Sequence, residues 1–248
     1  YFIELATLKA EIHKMATVWI SNWLKELVSD VLAFHLFGPV YLFALTNFLS
    51  TLTGVDEESS DYPPPRMRIR LLLKEFDEMG YPATLKSMKA KDKRIKKVAI
   101  EFVETAETIG KFLLGIKEEE KEKSLKKFSD LIHDSVTSIV PELRREIHKI
   151  IGLNEYISKK FAKEVFPLIL PLNSFVPPAE MSAEKPASAI SILNVGMLYE
   201  LLLMDNLYQT LKADTPQKKL YARHKLHELV LKALEVSDIQ FSMKKAMK

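Results

Sequence analysis

The sequence predicts an all-α protein: a multi-helix assembly with a long amphipathic N-terminal helix and a central apolar helix. Three observations carry that prediction. Apolar residues recur at i, i+3/i+4 spacing in one stretch after another, the period of a helix that buries one side. Seven glycines are few for 248 residues, and no stretch shows the period-two alternation of a half-buried strand. The breaks between periodic stretches carry helix punctuation, namely Gly38-Pro39, Gly54, Gly80 with Pro82, and Thr215-Pro216.

Taken in order, Leu5, Leu8, Ile12, Met15, Trp19, Trp23 and Leu27 keep helical spacing, so residues 3–37 read as one helix ended by Gly38-Pro39. Residues 40–53 form a second helix stopped by Gly54, and residues 55–65 ("VDEESSDYPPP") form a loop. A helix from about Arg66 to Met79 closes at Gly80. Ile95, Val98, Phe102, Ala106 and Ile109 mark the next, and Phe128, Ile132, Val136 and Ile139 another. Pro141 is placed to open a further helix at its first position, followed by Leu143, Ile147 and Ile150. Another helix, Phe161 to Phe166, ends at Pro167, and 167–188 reads as a Pro-rich extended connector. The stretch 189–204 ("AISILNVGMLYELLLM") is apolar nearly all round and reads as the central buried helix. Thr215-Pro216 announces the last helix, expected to run to about Val236.

Composition narrows the function classes. There is no cysteine, which excludes disulfides and thiolate metal sites and fits a reducing, cytoplasmic compartment. A formal charge of +3 gives no electrostatic case for nucleic acid, and no aromatics interleave with the basic run 86–97 ("KSMKAKDKRIKK"). The acidic run 117–123 ("KEEEKEK") reads as solvated surface. No residue from Val31 to Val55 is charged, which raises a membrane span as an alternative, although Gly38, Pro39, His35 and Asn47 interrupt it. No signal peptide is visible, and the chain opens on Tyr1 with helical periodicity already under way, so it reads as part of a longer or processed protein.

One stretch carries a chemical question. In "NWLKELVSDVLAFHLFGP" (22–39), Glu26 and Asp30 stand four apart. At about 100° per residue, Glu26 projects with Leu8 and Trp19, and Asp30 with Ile12. Both acids therefore fall near the centre of the apolar stripe, while Lys14 and Lys25 face away. Unpaired carboxylates there cost several kcal/mol, so a cation, a metal or their own protons must meet them. Arg66, Arg68 and Arg70 follow after the loop and can fold back as an internal ion pair. A functional site is the other reading, and spacing alone leaves both open.

The histidines do not complete a site. His13 projects more than about 90° from either acid, and His35 reads as a satisfied core residue. His224 and His227 are three apart beside Glu228, without the i, i+4 spacing of HExxH. His133 and His148 fall in ordinary amphipathic helices. No phosphate-cradling glycine loop and no nucleophile elbow is present, and the remaining acids read as solvated surface.

"WLKELVSDVLAFHLFGP" followed by "YPPPRMRIRLLL" resembles the later part of a gluzincin-type zinc metallopeptidase, of the heat-shock-protein-X and prenyl-protease group. The resemblance covers about residues 15–80. It implies that Glu26 is the third zinc ligand, that Asp30 orients a ligating His, and that Pro63-Pro64-Pro65-Arg66 is the loop opening the next helix. Tyr62 stands where the family has His, and the HExxH helix is absent from this chain. On this resemblance the chain divides into a metallopeptidase-like part, 1–85, and a helical extension, 86–248. Its function would be to supply the third zinc ligand to an upstream HExxH segment for hydrolysis of a peptide or protein substrate. Zinc belongs only to that intact site, and none is expected for this chain alone. The alternative is a non-catalytic helical interaction module with a buried ion pair at Glu26/Asp30.

Overall fold

Among the described residues helices account for nearly all regular structure, as the periodicity predicts. The structure, a computed structural model, describes residues 2–52, 59–89, 92–115, 123–151, 156–182 and 185–246. Its helices are α1 (Phe2–Phe37), α2 (Val40–Leu52), α3 (Pro65–Glu78), α4 (Tyr81–Lys86), α5 (Lys93–Gly115), α6 (Lys123–Ile151), α7 (Ser158–Glu164), α8 (Ile169–Asn173), α9 (Ala189–Leu202), α10 (Met204–Thr210) and α11 (Pro216–Ala246). A 3-10 turn, Phe166–Leu168, precedes α8. Gly54 and the charged run 116–122 lie outside the described residues. Among the described residues no single helix is long and apolar enough to cross a membrane.

Four local expectations change. Pro141 does not open a helix but lies inside the 29-residue α6. An interior proline costs about 3 kcal/mol. Burial of Val136 and Val140 before it and Ile147 after it keeps both flanks of the helix packed. The run after Phe166 is not extended throughout: it forms the 3-10 turn, α8 and a two-stranded antiparallel ladder pairing Glu180 with Pro186 and Ser182 with Lys185. Leu168, Ile169 and Leu172 are buried there, so apolar content overrides the proline count. α9 is buried on one side, through Ile192, Val195 and Leu198, and leaves Leu193 and Leu201 open. Finally α11 continues ten residues beyond the expected end at Val236.

Two units interleave along the chain. The first comprises Tyr1–Leu36, Leu45–Glu75 and Ile109–Glu155; the second comprises Phe37–Ala44, Phe76–Thr108 and Tyr156–Lys248. In the first, Trp23 and Leu27 of α1 pack on Ile132 and Val136 of α6, with Met67 and Leu71 of α3 alongside. Trp19 stacks on Trp23 at 6.1 Å and meets Phe128 edge-on at 5.3 Å. Val31 and Ile147 extend this core with Leu71 and Leu143. The indole N–H of Trp23 donates to the Ser59 carbonyl at 2.8 Å, which ties the loop before α3 to α1.

The second unit is centred on aromatic rings. Phe161 packs against Tyr81, Phe102 and Phe166, with centroids 5.5–5.7 Å apart. The Tyr81 hydroxyl donates to the Tyr156 carbonyl, and the Tyr156 hydroxyl meets Ser191 Oγ at 2.9 Å. Burial raises the Tyr156 phenol well above its ordinary pKa. Ser188 caps α9, its hydroxyl accepting from the Ser191 N–H.

Gly38 shows why the break between α1 and α2 needs its residue type. Its φ is +78°, and a Cβ there would stand 2.6 Å from the Tyr156 ring. Left-handed strain alone costs about 1–2 kcal/mol, and the clash adds to it. Gly38→Ala is expected to destabilise the protein by at least about 2 kcal/mol in chemical denaturation, whereas a purely permissive turn would tolerate the change.

Candidate functional site

The second half of α1 is buried over a broad arc. Leu27, Asp30, Val31, Phe34 and His35 are all inaccessible to solvent. On a helical projection these five span about 140°, with Asp30 at one edge, His35 at the other and the apolar residues between. Glu26 lies about 40° outside the Asp30 edge, and its side chain is 33% exposed. The acids therefore do not occupy the centre of the buried surface, as the stripe drawn from Leu8 and Ile12 implies. Ile12 and Met15 are themselves exposed, so the apolar residues at those positions do not mark the buried arc.

The opposing helix is set by the Pro run. Pro65 stands at the first position of α3, where its missing N–H costs nothing and its fixed φ suits the helix. That start places Arg68 one turn in, on the inward side, and leaves Arg70 exposed. Arg68 Nε–H donates to Asp30 Oδ2 at 2.7 Å and Nη2–H to Oδ1 at 2.8 Å, a two-pronged guanidinium–carboxylate pair. The same Nη2 lies 3.3 Å from Glu26 Oε2. One guanidinium therefore meets both acids, firmly at the buried Asp30 and by a single longer contact at Glu26.

A second ionic group lies on the same face of α3. Glu75, fully buried, lies 3.0 Å from His35 Nε2 through Oε2, while its Oε1 pairs with Arg144 of α6. The His148 ring meets His35 edge to face at 4.6 Å. Reading the remaining acids as solvated surface missed Glu75. Its signal is its place in "RIRLLLKE": seven residues after Arg68, it projects only about 20° from it. Once Arg68 points inward, Glu75 must follow. Arg144 had no comparable signal, because nothing near it in sequence identifies its partner.

The other predicted positions do not join this group. Tyr62 and His13 are exposed. His224 lies 3.1 Å from Glu228, and His227 lies 3.5 Å from Glu200, so the two histidines face different acids rather than converging. Among the described residues there is no group of three or more His, Asp or Glu side chains arranged to hold a metal. A catalytic zinc takes three protein ligands and a water. Glu26 contributes one oxygen donor, beside a guanidinium that already carries the positive charge, and Asp30 spends both oxygens on that guanidinium. The described residues alone do not fit zinc.

No protein-family model, no curated protein and no solved structure matches this chain.

The geometry separates the two acids energetically. Removing one partner of a buried ion pair costs about 3–5 kcal/mol, whereas a pair with an exposed member contributes about 0–1 kcal/mol. Asp30→Ala is expected to fall in the first range and Glu26→Ala in the second. The double change Asp30→Leu with Arg68→Met should restore most of the loss. Urea denaturation of the four proteins checks this ordering; equal effects at Glu26 and Asp30 would contradict it.

Proposed function

We propose that this chain is a non-catalytic helical interaction module in which Glu26, Asp30 and Arg68 form a structural ion cluster. The observation that carries the proposal is the placement of the Arg68 guanidinium on both acids at 2.7–3.3 Å. Asp30, buried with both oxygens accepting from Arg68, is not presented to a substrate or a metal, and the charge of Glu26 is met by the same guanidinium. A role in binding draws support from apolar side chains left open on the helices of the second unit, among them Leu193, Leu220 and Leu231.

The test is thermal unfolding of the purified chain with excess chelator and with added zinc, in the parent and in Glu26→Gln. Superimposable transitions in all four samples are expected. A zinc-dependent rise in melting temperature that disappears in Glu26→Gln would defeat the proposal.

One observation favours a second reading, that the chain is the C-terminal part of a zinc-metallopeptidase-like protein. Asp30 is wholly buried and rigidly held, while Glu26 keeps a third of its side chain accessible. An inner carboxylate that orients and an outer one that ligates would divide in this way. The two His ligands would have to come from an upstream HExxH segment of the same protein, acting on a peptide or protein substrate. In the intact protein Glu26→Gln should then reduce retained zinc by metal analysis, and equal zinc in mutant and parent would reject this assignment.

A further inference from the structure

Parts of four helices, all from the second unit's residues, wall an open groove of about 540 Å³. The end of α1 and the first turns of α2 supply Phe37 and Ala44, α9 supplies Leu193 and Met197, and α11 supplies Leu231. Two fixed contacts hold the walls in place. At Gly196 a Cβ would stand 2.8 Å from Val230 Cγ2, so α9 and α11 approach more closely than a side chain there would allow. Asn194 joins α9 to the Gly38-Pro39 turn, donating to the carbonyls of Phe37 at 2.7 Å and Ile190 at 2.8 Å and accepting from the Val40 N–H at 3.3 Å. A groove braced on both sides needs little ordering when something enters it.

The chemistry of its lining narrows the occupant. Asn194 spends both amide N–H groups and its carbonyl oxygen inside the fold, so it makes little demand on a ligand. The walls remain open, with Phe37 44%, Leu193 43% and Leu231 60% exposed. Small-molecule pockets enclose about 70–90% of a ligand's surface, and walls this open do not. They match instead one face of a helix, laid in with apolar anchors at i, i+3/i+4 and i+7. Met197 adds an unbranched, adaptable side chain to the lining.

Among the described residues lining the groove, Glu200 is the one with a permanent charge. Its contacts are loose: His227 Nε2 lies at 3.5 Å and Arg223 Nε at 4.0 Å, both on exposed side chains of α11. A carboxylate so held accepts another donor without losing a firm bond.

We propose that this groove docks an amphipathic helix of a partner protein, whose apolar face is flanked by a lysine or arginine that meets Glu200. The proposal rests on the interaction-module reading and specifies the partner's chemistry.

The test uses the full chain and two labelled synthetic helical peptides with the same leucine face, one flanked by lysine and its twin by glutamate, followed by fluorescence anisotropy. The lysine peptide should bind the parent about tenfold more tightly than its twin. Glu200→Gln should remove most of that preference, and Ala44→Trp, which fills the groove from a half-buried position in its wall, should abolish binding of both. Leu231→Asp serves as a second blocking variant, and circular dichroism verifies that each variant keeps the parent's helicity. Equal binding of the twins, no binding of either, or binding unaffected by both blocking variants would overturn the proposal. So would decylammonium binding below its micellar concentration with no peptide bound, or parent self-association lost in Ala44→Trp, since those outcomes assign the groove to a small amphiphile or a second copy. Zinc-dependent stability at Glu26 would remove the interaction-module reading instead, and that measurement does not involve the groove.

Discussion

The first unit is organised by the need to neutralise charge on one face of α3. Arg68 and Glu75, two turns apart, both point inward from that helix and are both shielded from water. Neither charge is tolerable there alone, so each fixes a neighbour: Arg68 draws Asp30 of α1, and Glu75 draws His35 of α1 and Arg144 of α6. Between these ionic groups lies an apolar filling of Leu71, Val31, Leu143 and Ile147. Hydrophobic burial supplies non-directional cohesion, while the paired charges select one register of α3 against its neighbours.

That constraint changes the chemistry the acids can perform. A carboxylate pair four residues apart on a helix has the same appearance in sequence whether it faces a metal, a proton or a guanidinium. Zinc requires several convergent donors, whereas Asp30 is buried and both of its oxygens accept from Arg68. Glu26 is placed differently because about 40° of helical rotation carries it past the edge of the buried arc. The two acids differ in exposure because of where the core ends.

In the second unit the polar groups work the other way, holding open a surface rather than closing a core. Asn194 satisfies itself against three backbone groups and fastens the turn after α1 to α9. Gly196 lets α11 come close on the opposite side. Ile192, Val195 and Leu198 fill the packed side of α9, and Leu193 and Leu201 on its other side stay exposed. An apolar helix can thus be well anchored and still present an open apolar side.

Much of the secondary structure was legible in the sequence because helical period, proline placement and glycine breaks are local. The limits of α3, the turn at Gly38-Pro39 that separates α1 from α2, and the inward position of Asp30 follow from residues within a few turns of one another. The passage of α6 through Pro141 was not legible, because burial of residues on both sides of the proline decides it. The cation that meets Asp30 comes from 38 residues away, with two other arginines as local candidates, and only the packing of α3 selects Arg68. Glu75 turned inward for the same reason, and the open side of α9 became visible only once α2 and α11 had taken their places. Local spacing fixes which way a side chain points relative to its own helix, but what it points at is set by helices brought together from elsewhere in the chain.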